Sequence, residues 1–221
     1  MTLLPHRSST RSRRPSAASP AASSAANWAS PPRAAEVDHP VLETARLRLR
    51  KWREDEAVRI SAARTNQATA HFLPFIPQPF TVEDARFWLK DLAEQAAAGT
   101  RFNWCVADAA TDQGLGNITL FGIHVRGAVR DAEVGYWMHP EAQGGGVMSE
   151  AIQGVAQWYF APANDGGFGG RRIFIRTAAS NTAARRTAEK AGFRHVGTER
   201  AAFEIGTHVD DKITYDLLIT D

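Results

Sequence analysis

A single cysteine, Cys105, stands among the 221 residues of the chain. That excludes an internal disulfide and any zinc or iron–sulfur site built from several cysteines. No run of about eighteen apolar residues occurs, so no transmembrane helix and no membrane partner are expected. Acid is absent from residues 1–35, which carry five arginines: Arg7, Arg11, Arg13, Arg14 and Arg33. The whole chain has 26 Lys+Arg against 24 Asp+Glu, a formal charge of +2. Setting the tail arginines aside leaves 21 basic and 24 acidic groups, or −3, over the other 186 residues. The basicity therefore belongs to the tail, and the mildly acidic body argues against a dedicated nucleic-acid surface.

Residues 1–40 are rich in Ala, Ser, Pro and Arg and poor in large apolar side chains, a composition expected to be disordered. Ser12-Arg13-Arg14-Pro15 has the look of a twin-arginine signal, but the apolar stretch that should follow is missing. The composition also resembles an organellar transit peptide; the plainer readings are a flexible extension or an upstream start codon. The expectation is a cytoplasmic protein with a tail over 1–40 and one domain over 41–221, large enough to bury its own core.

Within that domain, Ala45 to Arg50 alternates with period two and predicts a strand with Leu47 and Leu49 inward. Glu54 to Thr65 predicts a short helix. Three prolines in residues 74–79 forbid a helix in the aromatic segment 71–80, which is either a loop packed on the core or a wall of a substrate pocket. Thr81-Val82-Glu83-Asp84 resembles a capping box, opening a helix to about Ala98 with a stop at Gly99 and an apolar stripe of Phe87, Leu89 and Leu92, with Trp88 at its edge. Strands are expected at Phe102–Val106, Leu115–Ile123 and Glu133–Met138, the first two as a hairpin. A helix follows from Ser149 to Phe160, a Gly-rich loop to Gly170, a strand over Arg172–Arg176, a helix over Thr182–Ala191 and two last strands, Phe193–Phe203 and Lys212–Ile219. The order βα αβββ αβ αββ describes a layered α/β (α+β) domain.

The stretch richest in chemistry is Met138-His139-Pro140-Glu141-Ala142-Gln143-Gly144-Gly145-Gly146-Val147-Met148-Ser149. A strand ends, a glycine turn follows and a helix begins. Such a turn lets backbone N–H groups approach an anion closely, and the helix terminus adds positive potential. A P-loop needs a Lys that is absent, and a dinucleotide fingerprint needs glycine where Ser149 stands. A coenzyme A diphosphate site and a plain flexible turn remain open.

Gln143-Gly144-Gly145-Gly146-Val147-Met148 resembles the acyl-CoA loop of the GNAT acetyltransferases, Gln/Arg-x-x-Gly-x-Gly/Ala, with Met148 at the last position as in the RimJ/RimL-type branch. Thr44-Ala45-Arg46-Leu47-Arg48-Leu49-Arg50 is similar to that branch's opening T-x-R-L-x-L-R. Glu133-Val134-Gly135-Tyr136-Trp137 resembles its central strand. Asn181 through Lys190-Ala191-Gly192-Phe193 resembles its N-x-x-S…K-x-G-F helix. The likeness runs over about residues 41–221.

The resemblance implies a mixed, splayed central sheet of six to seven strands flanked by about four helices. It implies an N-acetyltransferase that uses acetyl-CoA as co-substrate and no metal, with an amine acceptor, a protein N-terminus or a small amine. Pantetheine would run along Met138 and His139. The diphosphate would sit on N–H groups from Gln143 through Gly144, Gly145, Gly146 and Val147 to Met148 and Ser149. Asn181 would touch pantetheine or the acetyl end, or serve only as a helix cap. Arg185, Arg186 and Lys190 would reach phosphates or form a solvated face. Glu133 fits the catalytic base, with Glu204 and His139 as weaker candidates. The thiolate's usual proton donor is missing: Ala184 replaces the branch's Ser, and Ala188 the Tyr of other branches. Thr187, Ser180 and Tyr215 are the substitutes at hand. The Pro-rich aromatic segment 71–80 and the loop 122–131 would shape the acceptor site. An acyl-CoA-binding module of weak catalysis is the alternative, and edge strands near the C-terminus are compatible with a homodimer.

Overall fold

In the computed structural model, residues 39–221 are described apart from 74, 99, 127 and 128. The expected tail therefore lies almost wholly outside the described residues, as do Pro74 and the helix stop at Gly99. A two-residue strand β1 (Leu42–Glu43) precedes β2 (Leu47–Arg50). Alternation holds in β2 up to its end: Leu47 and Leu49 are buried and Arg48 is exposed. Arg50 breaks the pattern. It is buried because both its terminal nitrogens bond Glu56 at 2.9 Å and its Nε bonds Asp112 at 2.7 Å.

A 3-10 turn, Glu54–Glu56, leads into α1 (Ala57–Thr65), and α2 (Gln67–His71) follows at once. The capping box at Thr81 forms with Asp84 in the place of the longer acid: Asp84 N–H donates to Thr81 Oγ1 (3.1 Å) and Thr81 N–H to Asp84 Oδ2 (2.8 Å). It opens α3 (Val82–Ala97). The expected stripe of α3 holds at Leu92, which is buried, and at Leu89, which packs on the smaller cluster, but not at Phe87. Phe87 is 76 % exposed, whereas Trp88 turns inward onto Trp137, their ring centroids 6.2 Å apart.

The rest comprises β3 (Phe102–Asp108), β4 (Gly114–Arg126), β5 (Val129–Met138), α4 (Val147–Phe160), β6 (Arg172–Ala178), α5 (Thr182–Lys190), β7 (Arg194–Ile205) and β8 (His208–Leu218). The strands form one eight-stranded sheet in the order β1-β2-β3-β4-β5-β6-β8-β7, antiparallel except for the β5–β6 pair. Among the described residues the mixed α/β fold thus has eight strands and five helices, close to the expected six to seven and about four. The additions are β1 and α2, two and five residues long, too short to show a period. The expected loop 122–131 is also largely strand, because β4 and β5 continue past a bulge between Phe121 and His124.

Two apolar clusters cover the two faces. The larger packs Met148, Ala151, Ile152, Val155 and Tyr159 of α4, and Ala188 of α5, on inward residues of β2 to β6 and of β8. The smaller joins Ala57, Ile60 and Ala63 of α1 and Ala85 of α3 to Phe80 and Trp137. Each fully buried Leu or Ile in such layers contributes about 1.5–3 kcal/mol. Consecutive residues of β5 face opposite layers: Val134 joins the α4/α5 side and Trp137 the α1/α3 side.

Candidate active site

The parallel pairing of β5 with β6 is short. It covers Asp131–Arg172, Ala132–Ile173 and Glu133–Phe174, and then stops. Beyond it β5 keeps only β4, from Val134 opposite Leu120 to Met138 opposite Gly116, while β6 stays with β8 as far as Ala178. The two strands splay apart, and a cavity of about 830 Å³ opens in the gap.

Next to the gap, β5 runs through a 3-10 turn, Pro140–Ala142, into the glycine turn that starts α4. Gly144 and Gly146 have φ of +84° and +73°, a left-handed conformation that costs a residue with a β-carbon about 1–2 kcal/mol. Gly146 holds the N-cap position of α4 and supplies no side-chain cap. Among the described residues, the N–H groups of Gly144 to Ser149 have no hydrogen-bond partner. A helix start left bare in this way, with a left-handed turn before it, is built to receive an anion.

Glu133 lies at the last paired position, where the strands part, and its side chain is buried. Arg176, two residues past the fork on β6, pairs with its Oε2. Oε1 has no partner among the described residues. Arg176, Arg186, Lys190 and Lys212 also line the cavity, so its wall is cationic on the β6, α5 and β8 side.

Met138, Gln143, Gly144, Gly146, Val147, Met148, Ser149, Asn181 and Glu133 are brought together around this one space; His139 and Gly145 do not line it. His139 donates its N–H to Leu115 O at 2.8 Å, and its ring turns to Glu141, with Nδ1 3.6 Å from Oε2. Burial and then the Arg59 cation push its pKa below the ordinary histidine value, against the pull of Glu141. The Gly145 carbonyl accepts from Arg46 at 3.2 Å. Asn181 caps α5, its Oδ1 accepting from Ala184 N–H at 3.0 Å, and its amide nitrogen is left for the cavity. Ser149 Oγ donates to Thr187 O at 3.2 Å and ties α4 to α5. Glu204 and Arg185 are elsewhere; Arg185 Nε bonds the Tyr215 hydroxyl at 3.3 Å.

The family model for the acetyltransferase (GNAT) domain matches residues 46–194. The chain belongs to the GNAT acetyltransferase family. A curated relative, the probable N-acetyltransferase YjcK of Bacillus subtilis (strain 168), is 28 % identical over 142 residues, 64 % of this chain and 75 % of that protein. Among solved structures, the ribosomal-protein-S5-alanine acetyltransferase of Vibrio fischeri aligns with a TM-score of 0.69 at 22 % identity, over 82 % of this chain and 98 % of that one. Mycobacterium smegmatis RimJ, solved with a CoA disulfide, aligns with a TM-score of 0.65 at 19 % identity, over 81 % and 88 %.

At the two positions where the resemblance leads to the expectation of a hydroxyl for the departing sulfur, the sequence has Ala184 and Ala188. Of the substitutes, Thr187 lines the cavity, its Oγ1 donating to Ala183 O at 2.9 Å. Ser180 does not line it, and Tyr215 is fully buried with its hydroxyl on Glu189 at 2.9 Å. The hydroxyl that sequence reasoning missed is Tyr136. It reaches across from β5, lines the cavity and donates to Ala184 O at 3.0 Å. Burial lifts its pKa far above the ordinary tyrosine value, against the nearby Thr187 hydroxyl, so it stays protonated. The signal available was the strand's period of two, which turns Tyr136 away from Glu133 and toward the last helix. Of the aromatic segment, Phe72 and Leu73 line the cavity while Phe80 and Ile76 pack in the smaller cluster. None of the described residues in 122–131 lines it.

Proposed function

We propose that this GNAT protein moves an acetyl group from acetyl-CoA to a primary amine, a protein N-terminus or a small amine, by direct attack. The observation that carries the reading is the bare glycine turn at the start of α4, beside the gap between β5 and β6. The turn's N–H groups meet the diphosphate, and the open backbone edge of Val134–Met138 pairs with the pantetheine arm as an added strand would. The coenzyme supplies a thioester carbonyl open to a nucleophile. Glu133 Oε1 accepts the amine's proton, directly or through a water. Attack forms the C–N bond, and the C–S bond then breaks. The sulfur leaves as a thiolate whose free pKa is near 8.5. Tyr136, too weak an acid to surrender its proton, steadies that charge by turning its hydrogen bond from Ala184 O to the sulfur, and solvent completes the thiol. Phe72, Leu73 and Phe121, with Arg176 and Lys212, form the acceptor's side of the cavity.

The absent acids at Ala184 and Ala188 favour one second reading, an acyl-CoA-binding module of weak catalysis. Free-thiol release measured with acetyl-CoA and a panel of amines separates the two. Turnover with at least one amine supports the transferase, whereas a ligand-induced rise in melting temperature without thiol release supports the module. No thermal shift at saturating acetyl-CoA removes both.

A further inference from the structure

The opening motif Thr44-Ala45-Arg46-Leu47 lies about a hundred residues before the glycine turn, yet its polar groups converge on that turn. Glu150, in the first turn of α4, is the meeting point. Its Oε1 accepts from Thr44 Oγ1 at 2.6 Å and from Arg46 N–H at 3.0 Å, and its Oε2 accepts from Arg46 Nε at 2.7 Å. Arg46 then reaches one step further, donating from Nη1 to Gly145 O at 3.2 Å. Thr44 is itself fixed, because its Oγ1 accepts from Leu47 N–H at 3.1 Å.

We propose that Thr44 and Arg46 are positioning residues for the coenzyme's diphosphate, acting through Glu150 and the Gly145 carbonyl. The inference rests on the coenzyme reading above and adds to it what aims the loop. Two physical consequences follow from the contacts. A trans peptide is planar, with its C=O and the next N–H pointing in opposite directions. Arg46 holds the Gly145 carbonyl away from the cavity and so turns the Gly146 N–H toward it; Gly146 lines the cavity and Gly145 does not. Glycine, free to flip that peptide plane, otherwise has nothing to choose the productive side. The second consequence concerns charge. An acid in the first turn suits the helix terminus but repels a phosphate arriving there. The Arg46 guanidinium on Glu150 cancels that repulsion, and the Thr44 hydroxyl keeps the carboxylate on the β2 side. Neither Thr44 nor Arg46 lines the cavity, so each acts through another residue.

The test is a titration of the full chain with CoA and with pantetheine, which lacks the diphosphate, followed by calorimetry and ligand-observed NMR. Arg46→Ala is expected to weaken CoA about tenfold and to leave pantetheine within about twofold. Adding Glu150→Gln to Arg46→Ala recovers the share due to charge, about threefold, and leaves the share due to the loop. Arg46→Lys restores the charge but spans Glu150 and Gly145 poorly, so it falls between. Thr44→Val loses about threefold for CoA alone. Equal losses for CoA and pantetheine mean a general structural role and overturn the inference, as does unchanged CoA affinity in Arg46→Ala. Wild-type protein that binds neither CoA nor acetyl-CoA overturns the coenzyme reading itself, before any variant is compared.

Discussion

Glu133 and Arg176 form an ion pair across the fork where β5 and β6 separate, with Oε2 of the carboxylate taken and Oε1 free among the described residues. In the proposed reaction, the pair holds the orientation of the carboxylate that takes the amine's proton. Glu133→Gln keeps an oxygen for Arg176 and removes the proposed base. We expect kcat to fall by about 10²-fold or more, with the CoA-induced thermal shift preserved. Unchanged turnover would remove Glu133 from the chemistry and leave the pair as a brace for the fork.

Tyr136 is expected to matter in a different way. Tyr136→Phe deletes the hydroxyl and leaves the ring on β5, so the fold and CoA binding should be retained. If the hydroxyl steadies the departing thiolate, kcat falls about 10- to 100-fold, somewhat less than loss of an oxyanion donor. The loss should shrink for an acetyl thioester whose thiol is more acidic, since that sulfur needs less help. A deficit independent of the leaving thiol would assign Tyr136 to packing against α5 instead.

The contrast between these residues shows what could be read from the sequence. Local features were legible: the capping box at Thr81, the alternation of Leu47 and Leu49, and the strand–glycine–helix order around Gly144. Each is written in neighbouring residues and needs no tertiary contact. Glu133 could be named from its place in a recognisable strand. Its partner Arg176 could not, because 43 residues separate them and only the parallel register brings them together. Tyr136 was hidden for a similar reason, since its relation to Ala184 crosses from a strand to a helix. Phe87 misled because the edge of a helical stripe, read without its tertiary neighbours, can be misplaced by one residue, and Trp137 draws Trp88 inward instead. The segment 122–131 looked like a loop because its bulge, with Gly122 at φ +57°, interrupts the alternation without ending the strand.

The glycine turn allows a test that separates backbone strain from contact. A β-carbon on Gly144 meets nothing within 4 Å, so Gly144→Ala is penalised only by its φ of +84°. The expected cost is about 1 kcal/mol, either in stability or, if the turn relaxes, as weaker CoA binding of up to about fivefold. Gly144→Asn, which tolerates a left-handed backbone better, should lose less on both counts. Equal effects of Ala and Asn would show that the substituent, not the dihedral, disturbs the turn. The check is a denaturation midpoint together with a CoA titration for each variant.

Stability toward acid should depend on Glu56. Both of its oxygens are bound by Arg50 at 2.9 Å, and Oε2 also accepts from Arg53 N–H at 2.8 Å, in a pair where each residue is only 8 % exposed. Burial by itself raises the carboxyl's pKa, but the Arg50 and Arg53 hydrogen bonds outweigh it, and the folded value lies below the ordinary 4.5. A carboxyl with a depressed folded pKa binds more protons in the unfolded chain. Its stabilisation is therefore complete above about pH 4.5 and lost as pH falls through the folded value. Removing one member of a buried pair leaves the other uncompensated, at a cost of about 3 kcal/mol. Arg50 keeps its bond to Asp112, so Glu56→Gln should cost no more than that at pH 7. The decisive measurement is the urea midpoint of wild type and Glu56→Gln from pH 7 down to pH 3. The two curves should converge below pH 4.5, as the wild-type carboxyl takes up its proton and comes to resemble the amide. A gap that stays constant to pH 3 would assign the acid sensitivity to other carboxyls.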